Sequence, residues 1–523
     1  MSDNSAGIAS TEDVALFQKL REAMAGVHQF VGAKVRSQHP KAHGVVQAAF
    51  QVHEVPEAYR IGVFAKAKCF AAWIRFSNGK ETDDRKPDVR GMAIKLLGMP
   101  GEKVAPEEAN ASTQDFVLAN HPVFFAKDAK HFLQFLVLKG AQGAELKKAK
   151  DEGKPATELA ELEKQQKIQF VTEFPVVREF FKTAASPLTL EYFSQTPYQF
   201  GTRVVKYFVK PVESNQSQNT VLESADLLRD AMQKRLVSEQ SAVRFEFGIE
   251  VQTDSASMLI EDATQKWNSP EQVVLATITI PPQDFLSDTR KDFGEALSFS
   301  PWHSLPEHQP LGSINRARRD AYLDSSVTRH KTTGAARQEP ELSHFNSLTL
   351  TRFFECFSKG DYQGMQSCLH PDVEFTDIGF ELRDKEVGAM WHMIVSKGIQ
   401  VSFRDIKVDD GAGTAHWECD YQFRKDADSE PRPVHNVVEA KFRFEGGLIR
   451  EHHDECDFWK WFEQAMGPIG KGAHLFEFLE DKIEQLLKRD LPLDVEQKVH
   501  AKVKETARKK ITAFIEQNPK YAG

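Results

Sequence analysis

The segment INRARRDAYLDSSVTRHK, residues 314–331, decides how the first part of this chain folds and what it does. Within it Arg318 precedes Tyr322 by four residues and Arg329 follows it by seven, so on a helix both arginines lie on the face of the tyrosine. A fixed guanidinium charge lowers the pKa of a neighbouring phenol and favours the phenolate, a ligand suited to iron(III). A solvated basic helix with a surface tyrosine is the alternative that this segment alone leaves open.

Four shorter segments come before the tyrosine segment in the chain. They are RSQHPKAHG at residues 36–44, RFS at 75–77, DVRGMAIK at 88–95 and NHPVFF at 120–125. Together with the tyrosine segment they resemble the ordered motifs of the catalase family, although Val89 stands where the third motif usually has proline. The resemblance covers roughly residues 30–330, and it implies an antiparallel β-barrel of catalase type, with helices, around a buried haem b.

The resemblance implies a metal ligand and a distal base. It places Tyr322 as the proximal ligand of the iron, with Arg318 holding it as phenolate. His39 takes the place of the distal histidine, which accepts a proton from peroxide and returns it to the leaving oxygen. His43, four residues later, is the alternative distal base, because the spacing to the following strand differs by about one residue from the usual pattern.

The same resemblance implies supporting residues around the haem. Asn120 is the expected distal hydrogen-bond donor, and Ser77 is expected to orient the distal histidine. The remaining matches are three arginines expected at the haem propionates and two aromatic residues expected beside the porphyrin: Arg36, Arg75 and Arg329, then Phe124 and Phe132.

The length of the first part is typical of a compact, catalase-like branch. Some 330 residues leave no room for the long arm, wrapping segment and helical domain of full-size catalases. We therefore expect a haem peroxidase, with peroxide and an organic reductant as partners and weak catalase activity at most. The alternatives are an allene oxide synthase-like isomerase of fatty-acid hydroperoxides, whose second domain is a ligand-binding or cyclase module, and a binding protein without haem.

Periodicity and turn residues divide the chain into domains. Short β-type stretches dominate before the tyrosine helix, and the polar segment from His330 to Ser343 carries Pro340 and no periodicity. We predict a haem domain over 1–335, a linker over 336–344, a second domain over 345–465 and a helical C-terminal extension over 466–523.

The second domain resembles the SnoaL-like members of the nuclear transport factor 2 superfamily. The resemblance rests on FFECFSKGDYQGMQSCLHPDVEFTD at 353–377, AMWHM at 389–393 and HDECDFWKWF at 453–462. It implies a smaller α+β cone with an internal cavity. Strand alternation lets four polar residues reach that cavity, where a carboxylate would have a raised pKa and act as a base: Asp377, His392, His435 and Asp454. Dimerisation or ligand delivery is the alternative role.

Within this domain the sequence predicts helices first and then three strands. The last of the three is the stretch VHNVVEAKFRFEGGLIREHHDECDF, residues 434–458. Trp459 and Trp461, just after it, are expected in the core rather than as a stacking platform. The sequence as a whole therefore predicts an α+β protein with a barrel, a cone and a helical tail.

Composition and charge exclude several functions. The 523 residues carry 67 Lys and Arg against 76 Asp and Glu, a formal charge of −9, which argues against nucleic acid or anionic lipid as partners. No apolar run or secretory pattern suggests a membrane or export, so a cytoplasmic protein is expected. The five cysteines form no CxxC pair. We also expect a homo-oligomer, a dimer or larger.

Overall fold

The structure is a computed structural model that describes residues 11–31, 36, 38–180, 182–213, 224–334, 336–337, 339–424, 429–466 and 493–521. The chain divides into two compact units, Met1–Pro340 and Glu341–Gly523. Parts of the predicted haem domain and C-terminal extension, residues 1–10 and 467–492 among them, lie outside the described residues.

The first unit is built on a closed antiparallel barrel. Eight strands pair in the ring order β5-β4-β3-β2-β1-β9-β8-β7, and β5 pairs back with β7 to close it, while the short β6 also lies along β7. The strands are β1 (Ala42–Val52), β2 (Cys69–Asn78), β3 (Arg90–Leu97), β4 (Thr113–Ala119), β5 (Tyr192–Phe193), β6 (Tyr198–Phe200), β7 (Arg203–Pro211), β8 (Val243–Val251) and β9 (Gln272–Ile280). The predicted barrel is confirmed.

Phenylalanine side chains make up much of the barrel core, to which nine buried Phe residues belong among those described. The ring of Phe247 lies 5.1 Å from that of Phe50, 4.8 Å from Phe116 and 5.8 Å from Phe64, measured between centroids. The interior of an eight-stranded barrel is just wide enough for side chains to fill, and each aromatic ring there buries much apolar area. The barrel interior is therefore a packed core, and a ligand site must lie outside it.

Helices cover the outside of the barrel and complete the first unit. They are α1 (Thr11–Val31), α2 (Ala129–Asp151), α3 (Ala156–Glu173), α4 (Val177–Phe180), α5 (Leu227–Gln233), α6 (Asp288–Ala296) and α7 (Ser313–Thr333). α7 carries the tyrosine segment; Ala317 and Ala321 on one of its faces pack against Phe17 and Leu20 of α1. Gly334, at φ 70°, ends α7 in the left-handed conformation that helix ends favour.

The second unit is an α+β cone. One curved sheet has the order β11-β10-β15-β14-β13-β12, antiparallel except for the β10 and β15 pair. Its strands are β10 (Leu369–Thr376), β11 (Glu381–Arg383), β12 (Gln400–Val408), β13 (Ala412–Phe423), β14 (Arg432–Glu445) and β15 (Leu448–Cys456). Its helices are α8 (Leu342–Ser358), α9 (Tyr362–Gln366), α10 (Lys385–Val395), α11 (Phe458–Met466) and α12 (Leu493–Gln517). The predicted cone and C-terminal helix are confirmed.

Two details differ from the sequence-based expectations. The stretch 434–458, predicted as a single strand, forms β14 and β15, which pair antiparallel across a turn at Gly446 and Gly447, both with positive φ. α8 begins at Leu342, so the end of the predicted linker is helical. Among the described residues, no helix combines the length and apolar character that crossing a bilayer requires.

Candidate active site

A cavity outside the barrel brings the predicted proximal and distal residues together. It holds about 710 Å³ of empty space, its mouth included. Tyr322 lines one part of it, and His39 and Ser77 line another. Apolar side chains form much of the remaining wall: Met24, Met92, Ala93, Val117, Leu118, Phe299 and Ala321. The cavity is thus an apolar slot with a phenol and an imidazole in its lining.

Tyr322 is held by Arg318 from one turn earlier in α7. The Arg318 guanidinium donates to the Tyr322 hydroxyl at 3.0 Å, and its other nitrogen donates to the side-chain oxygen of Asn315 at 3.1 Å. Asn315 is itself fixed, because its amide donates to the carbonyl of Leu311 at 2.9 Å. The arginine charge is therefore locked against the phenol oxygen, as the spacing predicts.

His39 sits in a strained backbone conformation within a tight cradle. Its φ is +56°, a value that non-glycine residues rarely adopt. The backbone N–H of His39 donates to the Gly79 carbonyl at 3.0 Å, and Arg75 donates to the His39 carbonyl at 3.1 Å. The ring nitrogen Nδ1 lies 3.1 Å from the Ser77 hydroxyl. The Ser77 hydroxyl thus contacts the imidazole, and the backbone of Asn78 forms a further hydrogen bond with the ring.

The environment of His39 keeps its ring neutral. Burial, followed by the positive charges of Arg75 and Arg318, lowers the pKa of His39 to about 4. A neutral imidazole at neutral pH is able to accept a proton, which is the property that a general base requires.

Three arginines meet at one side of the cavity around a single carboxylate. Arg36, Arg75 and Arg329 lie 3.8, 3.6 and 3.9 Å from the Glu295 carboxylate in nitrogen-to-oxygen distance. Backbone carbonyls beside Glu295 also accept from Arg36 and Arg329: Gly294 and Leu297 from the first, Glu295 and Leu297 from the second. The Nε atoms of Arg36 and Arg75 are buried and make no hydrogen bond to the part of the chain that the structure describes.

The charges of this arginine cluster do not balance. Burial is the main cause that lowers the pKa of each of the three guanidiniums, and for Arg36 the charges of the other two add to it. Burial alone would raise the pKa of Glu295, but the three positive charges outweigh it and lower that pKa. Three guanidiniums against one carboxylate leave an excess of two positive charges at the cavity wall.

The predicted distal hydrogen-bond donor and the two aromatic residues predicted beside the porphyrin do not line this cavity. The Asn120 side-chain oxygen accepts from the backbone N–H of Arg90 at 2.6 Å, next to Gly91, which does line it. Phe124 and Phe132 pack edge to face on each other, with ring centroids 5.6 Å apart. Phe132 also packs against the cluster that includes Met24, a lining residue.

His43 lies in a separate buried network. Its Nε2 is 2.9 Å from the Asn78 side-chain oxygen, and its Nδ1 is 3.7 Å from the Asp84 carboxylate. Lys41 forms an ion pair with the same carboxylate at 2.8 Å. His43 does not line the cavity, and its two ring nitrogens face protein groups. Of the two histidines weighed from the sequence, only His39 faces the cavity.

The second unit has a cavity of its own, which receives two of the four predicted polar residues. It holds about 1830 Å³ of empty space, its mouth included, and both Asp377 and Asp454 line it. His392 lies outside: its ring stacks on Tyr362 at 3.7 Å between centroids. His435 is also outside, half exposed and paired with Asp420 at 3.0 Å. The expectation that all four share one cavity is wrong, because the strand and helix faces carrying the histidines point away from it.

Asp377 is the perturbed carboxyl group of the second cavity. Burial raises its pKa to about 7, against the opposing effect of the backbone N–H groups of Phe380 and Gly379, which donate to its Oδ1 at 2.5 and 2.7 Å. Asp454 accepts from the Trp417 indole at 3.2 Å and lies 2.9 Å from the ring of His452. His452 is buried and the adjacent His453 is exposed, as alternation on a strand requires.

Sequence reasoning missed several residues that lie at or beside the two cavities. Glu295, which joins the three arginines, lies in α6 with no motif around it. Met24 reaches the cavity from α1, about 300 residues earlier in the chain than Tyr322. In the second unit, Lys397 and Lys510 line the cavity from distant segments. Neither spacing nor periodicity signals such residues, because only the folded chain brings them together.

The sequence model of the family described as "SnoaL-like domain" matches residues 350–452, which lie in the second unit. A LEH-like epoxide hydrolase of M. tuberculosis is similar in structure over 24% of this chain and 91% of its own, with 16% identity and a TM-score of 0.21. No curated protein matches the sequence.

Two catalases are similar to a larger part of the chain. The match to a bacterial catalase covers 63% of this chain and 63% of the catalase chain, with 17% identity and a TM-score of 0.41. The match to catalase A from Saccharomyces cerevisiae covers 59% of this chain and 65% of the catalase chain, with 18% identity and a TM-score of 0.42. This chain therefore spans less than two thirds of the length of either catalase.

Proposed function

We propose that the first unit binds haem b in the cavity between Tyr322 and His39 and acts as a peroxidase. The observation that carries the proposal is that a phenol held by a guanidinium and a neutral imidazole line the same apolar slot. Phenolate ligation and a distal base are the two protein groups that a haem enzyme acting on peroxide needs.

The arginine cluster fits the propionates of a haem. Arg36, Arg75 and Arg329 carry two positive charges more than Glu295 neutralises, and a haem brings two carboxylates. The buried Nε atoms of Arg36 and Arg75 find no acceptor among the described residues, and a buried donor without an acceptor costs about 1–3 kcal/mol. Propionate oxygens would supply both the acceptors and the charge, so these residues suit the rim of a haem site.

The residues around the cavity have separate roles in the proposed reaction. Haem, when bound, supplies the iron that reacts with peroxide. Tyr322 would hold the iron through its side-chain oxygen, to which Arg318 donates a hydrogen bond. His39, oriented by Ser77, accepts the peroxide proton on Nε2 and returns it to the departing oxygen. The apolar walls exclude water from the reacting atoms.

The first experiment tests the metal ligand. Purified protein from haem-supplemented cells should show the absorbance of a ferric haem with phenolate ligation, and Tyr322→Phe should lose that absorbance and the peroxide turnover. Tyr59→Phe is the matched control, because the Tyr59 hydroxyl bonds Glu271 at 2.6 Å and Tyr59 does not line the cavity. Colourless wild-type protein would refute haem binding.

The second experiment decides between the two histidines. We expect His39→Gln to keep haem and lose about a hundredfold or more of the turnover, the contribution of a general base. His43→Gln should retain the wild-type turnover rate per molecule of folded protein. Wild-type turnover should fall as the pH drops through about 4, where the His39 ring becomes protonated. Loss of turnover in His43→Gln, with His39→Gln active, would reverse the assignment.

The third experiment identifies the reaction. Peroxide with an organic reductant should give the fastest turnover, and peroxide alone should give little oxygen. The isomerase alternative requires turnover of a fatty-acid hydroperoxide with no electron donor. If that reaction is the fastest of the three, the peroxidase proposal is replaced by the isomerase.

A further inference from the structure

Glu295 differs from the other members of the arginine cluster in its exposure. Its side chain is 47% exposed, whereas those of Arg36, Arg75 and Arg329 are 13%, 4% and 3% exposed. Among the described residues it is the one carboxylate that forms an ion pair with any of the three. The chemistry proposed for the first unit uses the arginines but gives Glu295 no role. A half-exposed carboxylate beside three buried guanidiniums therefore needs an explanation of its own.

Backbone carbonyls at the end of α6 fix the positions of two of the arginines. Arg36 donates to the carbonyls of Gly294 and Leu297 at 2.9 and 2.8 Å. Arg329 donates to the carbonyls of Glu295 and Leu297 at 2.5 and 3.2 Å. The last carbonyls of a helix lack partners within the helix and carry partial negative charge, so they favour cations. These guanidiniums therefore do not depend on the Glu295 side chain for their positions.

α6 itself is packed closely on the barrel. The ring of Phe293 lies 4.7 Å from that of Trp73 between centroids, and the Arg290 guanidinium lies 4.7 Å from the centre of the same Trp73 ring. A Cβ at Gly294 would lie 2.6 Å from a methyl group of Val45 on β1. The end of α6, and with it the carbonyls that bind the arginines, is therefore held in place on the barrel.

The Glu295 carboxylate contributes charge to the cluster more than it contributes hydrogen bonds. Its distances of 3.8, 3.6 and 3.9 Å to the three guanidiniums exceed the length of about 2.7–2.9 Å that is usual for a charge-assisted hydrogen bond. The buried Nε atoms of Arg36 and Arg75 find no acceptor in the part of the chain that the structure describes. Glu295 thus reduces the repulsion among three positive charges and leaves hydrogen-bond donors for another anion.

We propose that Glu295 is a built-in counter-anion that stabilises the arginine cluster in the cofactor-free protein and lowers the affinity of the site for haem. Its charge offsets the repulsion among the three guanidiniums before the cofactor binds, and it repels the propionates once they arrive. Glu295 therefore sets how tightly the first unit retains haem. The inference rests on the haem site proposed above, and it concerns the affinity of that site rather than the reaction.

The first test compares a porphyrin with and without its carboxylates. The full chain, freed of any bound porphyrin, is titrated with iron-free protoporphyrin IX and separately with its dimethyl ester, and binding is followed by porphyrin fluorescence. Glu295→Gln should bind the diacid about tenfold more tightly than wild type does, because a like charge beside the propionates has been removed. It should bind the diester within about twofold of wild type. Probes without iron exclude ligation by Tyr322 from the measurement.

Two variants serve as controls for charge and position. Asp292→Asn removes the same charge from the same helix, at an exposed residue that forms no ion pair with a described residue, so its diacid affinity should stay within about twofold of wild type. Glu295→Asp keeps the charge and should bind the diacid within about threefold of wild type. If either control gains as much diacid affinity as Glu295→Gln, the effect is not the charge at this position and the proposal is overturned.

The second test measures stability without and with the porphyrin. Without it, Glu295→Gln should unfold at a lower urea concentration than wild type, because the guanidiniums lose their counter-anion. With saturating protoporphyrin IX the difference should shrink or reverse, because tighter binding adds more stability to the folded state. The same difference in both conditions would show that Glu295 only supports the fold, and it overturns the proposal. A Glu295→Gln chain that folds in neither condition does so too.

The outcomes separate this inference from the proposed haem function. If wild type binds haem and protoporphyrin IX but Glu295→Gln binds the diacid no more tightly, the inference alone is overturned. If wild type binds neither haem nor protoporphyrin IX, both proposals are overturned.

Discussion

The neighbours of His39 hold its backbone in an unfavourable conformation. Its positive φ costs on the order of 1–3 kcal/mol and persists only where the surroundings impose it. The surroundings are two backbone hydrogen bonds, from its N–H to Gly79 and from Arg75 to its carbonyl. Strain of this kind clusters at functional sites, which supports the role proposed for His39.

Gly91 tests that constraint directly. A Cβ at this position would lie 2.6 Å from the His39 Nδ1 and 2.9 Å from the Ser77 hydroxyl. We predict that Gly91→Ala displaces the imidazole and lowers the free energy of unfolding by about 1–3 kcal/mol, measured by urea denaturation. Gly143→Ala is the control: it lies within α2 with nothing within 4 Å, so it should raise that free energy by up to about 1 kcal/mol. Equal stability of wild type and Gly91→Ala would contradict the close packing.

Asp377 gives a prediction about pH. Its pKa is about 7 in the folded protein and 3.8 as the ordinary value, so the folded state favours the protonated form. The stability that this proton contributes is complete below pH 4 and is lost as the pH rises through 7. Asp377→Asn keeps an oxygen acceptor for Gly379 and Phe380 but has no charge. Its free energy of unfolding relative to wild type should therefore rise between pH 4 and 7 by a few kcal/mol, on the order of that linkage. A constant difference across this range would show that Asp377 is not perturbed.

At the scale of elements, a buried ion pair joins two neighbouring strands of the barrel. Lys95 of β3 faces Asp115 of β4 in register, with the ammonium 2.7 Å from the carboxylate and both side chains at most 1% exposed. Burial raises the pKa of Asp115, against the charge of Lys95. The intact pair therefore adds little to the stability of the fold. Removing one member costs much more, because the charge of the other member stays buried without its partner.

We predict an asymmetric result from a double-mutant cycle on this pair. Lys95→Met should lower the free energy of unfolding by about 3–5 kcal/mol, because it leaves a buried carboxylate without its partner. Adding Asp115→Leu should recover most of the loss, since two apolar side chains replace the pair. The measurement is urea denaturation of the two single variants, the double variant and wild type. Simple additivity of the two single losses would refute the coupling.

Helices and strands could be predicted from the sequence where their apolar residues recur at a regular spacing. The helix that carries Tyr322 follows from residue spacing, and it places Arg318 on the phenol as expected. The division of 434–458 into β14 and β15 was not predicted, because apolar alternation continues on both sides of the turn. The turn depends on positive φ at Gly446 and Gly447, a conformation that glycine permits and that two adjacent glycines signal in a hairpin.

At the scale of the whole molecule, each unit has its own hydrophobic core. The core of the second unit draws Leu350, Phe353, Phe354 and Phe357 from α8. We predict that residues 341–523 produced alone fold with a cooperative thermal transition, followed by circular dichroism, because their apolar contacts are internal to the unit. A fragment that starts at residue 362 lacks α8 and should remain unfolded. Failure of the longer fragment to fold would show that the second unit depends on the first.

The sequence by itself determined the kinds of element and the order of the motifs. Helical spacing, strand alternation and turn residues act between near neighbours, so they predicted a barrel-forming first part, a cone-forming second part and the contact of Arg318 with Tyr322. The resemblance to the catalase family left His39 and His43 as the two candidates for the proposed distal base. Such short-range interactions can be predicted from the sequence, because the residues that make them are only a few positions apart.

Only the tertiary structure decided which distant residues share a site. It placed His39 on the cavity and His43 in a buried network, and it joined three arginines through Glu295. It also turned His392 and His435 away from the second cavity. Such contacts depend on the closure of the barrel and the curvature of the cone, which arise from the packing of the whole unit and leave no periodic signal in the chain.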